Sequence, residues 1–243
     1  MLKHIPLEHL PVTDYGWFVR RFHLSFAEYD NPERVQFGVL SALNDDTIQP
    51  GAGFETHPHQ DAELISYCVE GQLAHIDSMG HQQILRRGDV QYLRTGSGMT
   101  HAEMNHSPDK SLRFLQIWIA PDEMGLPPHY RQHSFPEGAR RNKLLQIASG
   151  ERMDGVIQIH QDANVFVSEI EAGKAVPAVI EDGRQVYLVC VEGALAVNGM
   201  ELKPCESIEI SGEAQLTLQA LEDAHLLMVE MAESMPYSTE SKM

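Results

Sequence analysis

A chain of 243 residues with 42% hydrophobic and 22% charged side chains has enough apolar content to bury a large core and too little charge for a disordered polymer. Its 35 Asp and Glu against 18 Lys and Arg leave a formal net charge of -17. That field repels phosphate backbones and anionic lipid, which argues against direct nucleic-acid or membrane binding and favours a small molecule or a protein partner.

The opening "MLKHIPLEHLPVTDYGWFVRRF" is broken by acidic residues and prolines and lacks the continuous apolar core of a secretory signal. No later stretch reaches transmembrane length. Cys68, Cys190 and Cys205 cannot all pair within the chain, and two of them sit in apolar, strand-like runs where a reduced thiol packs as a small hydrophobe. These features point to a cytoplasmic protein. Short apolar segments rich in β-branched residues, broken by Gly, Asn or Asp, predict an all-β fold of sandwich or barrel type.

The first segment that carries chemistry is "GFETHPHQDAELISYCVEG", residues 53–71. In extended chain, residues i and i+2 share a face, so His57 and His59 project together. The second is "GDVQYLRTGSGMTHAEMNH", residues 88–106, where His101 and Glu103 alternate in the same way. Two neighbouring strands could therefore aim three imidazoles and one carboxylate at one point inside a barrel. Such a donor set suits a divalent transition ion and leaves positions open for a substrate and dioxygen or water. Glu63 shares the parity of His57 and His59 and competes with Glu103, either as a ligand or as an acceptor for an imidazole N–H. The glycines of "TGSGM" lack the Lys and helix of a phosphate-binding loop and read as turn residues. Trp118 and Met104 read as barrel filling, and Cys68 as core.

The stretch "APDEMGLPPHYRQHSFPEGARRNK" is rich in proline and charge and reads as a connection. Beyond it the chain repeats itself. "YCVEGQLAHIDSMGHQQILRRGDVQYL" and "VCVEGALAVNGMELKPCESIEI" share Cys-Val-Glu-Gly-x-Leu-Ala, followed by a strand, a turn at Gly80 or Gly199 and another strand. Aligning Gly71 with Gly193 puts Val179 and Glu181 where the first copy has His57 and His59. The second copy has no Gly-x-x-His-x-Glu, and its lone His225 reads as structural. The organisation expected is a first barrel with the metal site over residues 1–125, a linker over 126–142, a metal-free second barrel over 143–231 and a flexible tail over 232–243.

The two histidine segments, together with "DYGWFVRRFHLSFAEYDNPERVQFGVLSALNDD" and "LQIWIAPDEMGLPPHY", resemble the pirin family of the cupin superfamily, especially its bacterial members similar to quercetin 2,3-dioxygenase. The resemblance is close over most of the N-terminal half and holds in outline over the C-terminal half. It implies a bicupin with one metal, Fe(II) first and Mn, Co, Ni, Cu or Zn as alternatives, held in the N-terminal barrel by His57, His59, His101 and Glu103. It also implies cleavage of a flavonol such as quercetin by dioxygen with release of carbon monoxide, Glu103 doubling as ligand and base. Some pirins are linked to transcriptional regulation, so the alternative is a metal- or redox-sensing protein with a regulatory protein partner.

Overall fold

The computed structural model describes residues 1–136 and 138–233. The first half contributes β1 (Leu2–Ile5), a short 3-10 turn (Leu7–His9), β2 (Val12–Asp14), β3 (Phe18–Phe22), β4 (Leu40–Ile48), β5 (Gly53–His59) and β6 (Glu63–Glu70). It continues with β7 (Gln72–Asp77), β8 (Gln82–Arg86), β9 (Val90–Arg94), β10 (Met99–Asn105), β11 (Leu112–Ile119) and β12 (His129–His133). The second half runs through β13 (Leu145–Ser149), β14 (Ile157–Gln158), β15 (Ala163–Ile170), β16 (Ala175–Val179) and β17 (Arg184–Glu192). It ends with β18 (Leu195–Val197), β19 (Met200–Leu202), β20 (Ser207–Ser211), β21 (Gln215–Ala220) and β22 (Ala224–Ala232). No helix among the described residues is long and apolar enough to cross a membrane.

Each half closes a seven-stranded sheet over a four-stranded one. The large sheets run β12-β9-β6-β11-β4-β3-β2 and β1-β20-β17-β22-β15-β13-β14, and the small ones β5-β10-β7-β8 and β16-β21-β18-β19. The inner five strands of the large sheets and all four strands of the small ones correspond position by position, which is the duplication expressed as topology, while the outermost strands differ in origin or direction. The two large sheets pack back to back through Tyr67, Val69, Leu115 and Ile117 on one side and Val167, Tyr187, Val189 and Val229 on the other. Their central strands are thus buried on both faces, which is why "LISYCV" and "VYLVCV" are nearly unbroken apolar runs. The small sheets each keep one face toward the surface and alternate instead, as in β10 and β21.

The repeated Cys-Val-Glu-Gly has a physical reason in both copies. Gly71 and Gly193 sit at φ +82° and +71°, and a Cβ on either would meet a backbone carbonyl oxygen, that of Ser111 at 2.5 Å or Asp223 at 1.9 Å. The Cys68 thiol lies 3.7 and 3.8 Å from the carbonyl oxygens of Glu70 and Gly71, and Cys190 lies 3.6 Å from those of Glu192 and Gly193. Burial pushes both thiols up to about 12, so each is an inert packing group that ties down its turn.

Two segments depart from the expected plan. β1 pairs with β20, so the first residues of the chain complete the second large sheet. The proline-rich connection is also structured in part, because His129–His133 form β12 on the edge of β9. Both edge strands occupy the same place in their sheets, and each covers backbone groups that would otherwise stay unpaired. Of the expected tail, only Ala232, the end of β22, and Glu233 lie within the described residues.

Candidate metal centre

Two adjacent strands of the first small sheet, β5 and β10, carry His57, His59, His101 and Glu103, and β7 flanks β10 on its other side. Across β10 and β5, His101 stands opposite His57 and Met99 opposite His59. A register shift between His101 and Glu103 absorbs one extra residue of β5. The ring centroids of His57, His59 and His101 lie 4.6 to 4.9 Å apart. One nitrogen from each ring falls within 4.8 Å of the others, close enough for all three to share one ion.

Glu103 follows on the same face of β10, and on its other side stands His75 of β7. His75, His101 and Glu103 form a second group with donor atoms within 4.8 Å, so His101 belongs to both. His75 was not anticipated. Its signal was present in the repeat: applying the same offset that turns His57 into Val179 turns His75 into Val197. Strand β7 carries Asp77 two residues on, whose Oδ2 lies 3.2 Å from His75 Nε2 and 2.9 Å from His81 Nδ1. Tyr130 stacks on both rings at 4.6 and 4.7 Å.

The carboxylate of Glu103 is fully enclosed and held by three donors. Gln91 Nε2 donates at 2.7 Å and Ser66 Oγ at 3.2 Å to Oε1, and Gln116 Nε2 donates at 2.9 Å to Oε2. Trp118 Nε1 donates in turn to Gln116 Oε1 at 3.1 Å. These partners come from one rank across the large sheet, where Gln91 faces Ser66, Ser66 faces Gln116 and Gln116 faces Asn44. In the second barrel the corresponding rank is Ile208, Leu188, Met228 and Phe166. A polar layer built to receive a carboxylate in one barrel is thus an apolar layer in the other.

Deeper in the first barrel, Arg20 makes a two-point contact with Asp46 at 2.8 and 2.7 Å, beneath the rings of Phe18 and Phe26. Burial nevertheless raises Asp46 to about 6.

Glu63 takes a different path. The turn after His59 carries the chain from the small sheet to the large one, so the shared parity with His57 and His59 does not survive it. Its buried carboxylate accepts the backbone N–H groups of His160 at 2.7 Å and Gln161 at 2.8 Å, together with the Tyr92 hydroxyl. It anchors the second half to the first.

Whether the cluster suits a metal can be judged from its own groups. His101 is buried with neither ring nitrogen hydrogen-bonded, an arrangement that costs free energy unless something else takes the lone pair. Burial, then the neighbouring imidazoles, lower His101 to about 3 and His59 to about 4, so both rings are neutral and able to donate lone pairs at neutral pH. His57 Nδ1 lies 2.7 Å from the Glu55 carbonyl, which fixes the proton there and leaves Nε2 as the donor atom. Burial pushes the Glu103 carboxyl up, against the pull of His75 and His57 and of its hydrogen-bond donors. Three imidazoles, two of them held neutral by burial, and a tightly held carboxylate fit a divalent first-row ion.

Val179 and Glu181 take the places of His57 and His59 in the second barrel, and among the described residues that barrel offers no cluster of metal-ligating side chains. His225 is structural: its Nε2 lies 2.9 Å from the Tyr67 hydroxyl and its Nδ1 lies 3.0 Å from Glu192.

Known proteins resemble this chain along most of its length. Residues 8–119 match the Pirin family and residues 146–231 match the quercetinase C-terminal cupin domain. A pirin-like protein of Caulobacter vibrioides is 38% identical over 233 residues, 96% of this chain and all of that one. Quercetin 2,3-dioxygenase of Escherichia coli K12 is 33% identical over 219 residues, 90% of this chain and 94% of that one. The crystal structure of the bacterial pirin YhhW from Escherichia coli in complex with nickel(II) superposes with a TM-score of 0.90 at 29% identity, covering 96% of this chain and 100% of that one. With two cupin barrels, a polar layer in only the first and relatives matched along nearly their whole length, the chain belongs to the pirin family.

Proposed function

We propose that this protein is a metal-dependent dioxygenase that opens the heterocyclic ring of a flavonol such as quercetin with dioxygen and releases carbon monoxide. The convergence of His57, His59 and His101 beside the Glu103 carboxylate carries this reading, and the names of the relatives supply the substrate class. The ion would be held by His57, His59, His101 and Glu103, with Fe(II) preferred and Mn, Co, Ni, Cu or Zn compatible with the donor set. When bound, it supplies Lewis acidity to adjacent substrate oxygens and a redox link to dioxygen.

The protein's own groups would do the remaining work. An open cavity of about 440 Å³ borders His57, with Trp17 and Phe54 as aromatic walls against which the flat rings of a flavonol can stack. Trp118 packs edge-on against His59 at 5.0 Å and beside Phe26 at 5.1 Å, closing off another side of the cluster. Glu103 takes the proton of the flavonol 3-hydroxyl on a carboxylate oxygen. Its burial raises its proton affinity, which favours taking that proton, and its three donors restrict its motion.

The test is aerobic incubation of quercetin with protein loaded separately with Fe(II), Ni(II) and Mn(II). Loss of the flavonol absorbance with one carbon monoxide per quercetin is expected with at least one ion. Absence of turnover with every ion, or turnover retained in full by His57→Ala, His101→Ala and Glu103→Ala, would refute the reading.

A further inference from the structure

The second barrel is filled below by an apolar core that includes Leu188, Leu195, Leu216 and Leu218. At its mouth, where Val179 and Glu181 replace the histidines, the sheets part around a cavity of about 440 Å³. That volume lies within the ordinary range of small-molecule sites.

The floor of this cavity is a connected polar network. Arg184 Nε donates to Glu230, and its Nη1 donates to both carboxylate oxygens of Asp162 at 2.8 and 3.0 Å. Asn164 Nδ2 donates to Glu230 at 2.6 Å, while Asn164 Oδ1 accepts from Gln146 at 2.9 Å and Ser149 at 2.7 Å. One member remains unsatisfied. Arg184 Nη2 is buried without a hydrogen-bond partner among the described residues. A buried guanidinium N–H is costly to leave unpaired, and this one belongs to a side chain lining the cavity.

The chemistry of the lining narrows the occupant. The spare N–H calls for an acceptor oxygen. An anion would meet the carboxylates of Glu151, Asp162, Glu181 and Glu230 against the single guanidinium, and a cationic head has no lone pair to offer the spare N–H. Phe166, Ile180 and Met228 supply apolar walls. We propose that the mouth of the second barrel is a metal-free binding site for a small uncharged aromatic ketone or phenol, its oxygen on Arg184 Nη2 and its ring against Phe166 and Ile180.

The test uses the full chain with the first site disabled by His57→Ala and His101→Ala, and three compounds of nearly equal shape: neutral 4-hydroxyacetophenone, anionic 4-hydroxybenzoate and cationic 4-hydroxybenzamidine. Calorimetry should show one equivalent of the neutral compound bound with a Kd below about 1 mM, and both charged compounds weaker by roughly tenfold or more. Val179 is 77% exposed on the rim, so Val179→Trp should obstruct the mouth without disturbing the fold and weaken binding of the neutral compound by about tenfold. Arg184→Met should do the same by removing the donor. The proposal fails if the neutral compound does not bind, if either charged compound binds as well, or if Val179→Trp leaves binding unchanged. None of these outcomes depends on flavonol turnover in the first barrel.

Discussion

Glu103 and His75 stand directly opposite each other on β10 and β7, and with His101 they bring three donor groups within 4.8 Å. His75 is oriented by Asp77, and its Nδ1 is buried without a partner. This places it against the cluster as a positioning residue. His75→Leu should weaken metal retention by about 10- to 100-fold, as the loss of groups that orient metal ligands commonly does. Competition with a chelator measures it, and unchanged retention would remove His75 from the site.

The three donors to Glu103 stabilise its charged form, so removing one disfavours ionisation and raises its pKa. A hydrogen bond to a charged group contributes about 1.5–3 kcal/mol, equivalent to roughly one to two pH units. In Gln116→Leu the acid limb of the kcat/KM profile should therefore move to higher pH by about that amount. The sign follows from Glu103 acting as a base: raising its pKa extends the range in which it is protonated and inactive. An unmoved limb would show that Glu103 does not set it.

Glu63 serves the joint between the halves. Glu63→Ala leaves the His160 and Gln161 N–H groups and the Tyr92 hydroxyl without their acceptor. At about 1–3 kcal/mol for each unsatisfied buried group, the variant should lose roughly 3 kcal/mol or more of stability in denaturant unfolding. Its metal content should equal that of the wild type. Loss of metal from a folded Glu63→Ala protein would return Glu63 to the ligand set.

His23 is buried and held neutral, lowered to about 3 chiefly by burial and further by Arg34 and other nearby guanidinium groups. The unfolded state binds a proton near pH 6.5, whereas the folded state resists it down to about pH 3. The stability associated with neutral His23 is therefore complete above about pH 6.5 and is lost as pH falls toward 3, at up to about 1.4 kcal/mol per unit. Urea unfolding of wild type and His23→Gln from pH 7 to pH 4 should show a shallower decline in the variant. Parallel declines would contradict the assignment.

Much of the fold was legible because the duplication is written in residues that do the same physical work twice. Gly71 and Gly193 each permit a close backbone approach, and Cys68 and Cys190 each secure the turn that follows them. The grouping of His57, His59 and His101 followed from strand alternation, since β5 and β10 are neighbours. Alternation misled at Glu63 because parity holds only within one strand, and a turn lies between. It also gave no reason to choose His75, whose importance depends on β7 pairing with β10 although β8 and β9 lie between them in sequence. The pairing of β1 with β20 joins residues about two hundred positions apart and leaves no local trace in a four-residue strand.

The proposed chemistry needs one ion in the first barrel and none in the second. Anomalous diffraction at the metal edge, from crystals of protein loaded with Ni(II) or Fe(II), tests this most directly. It should reveal a single strong peak within bonding distance of His57 Nε2, ring nitrogens of His59 and His101, and a Glu103 oxygen. A peak at the mouth of the second barrel, or no peak among the three histidines of the first, would contradict it.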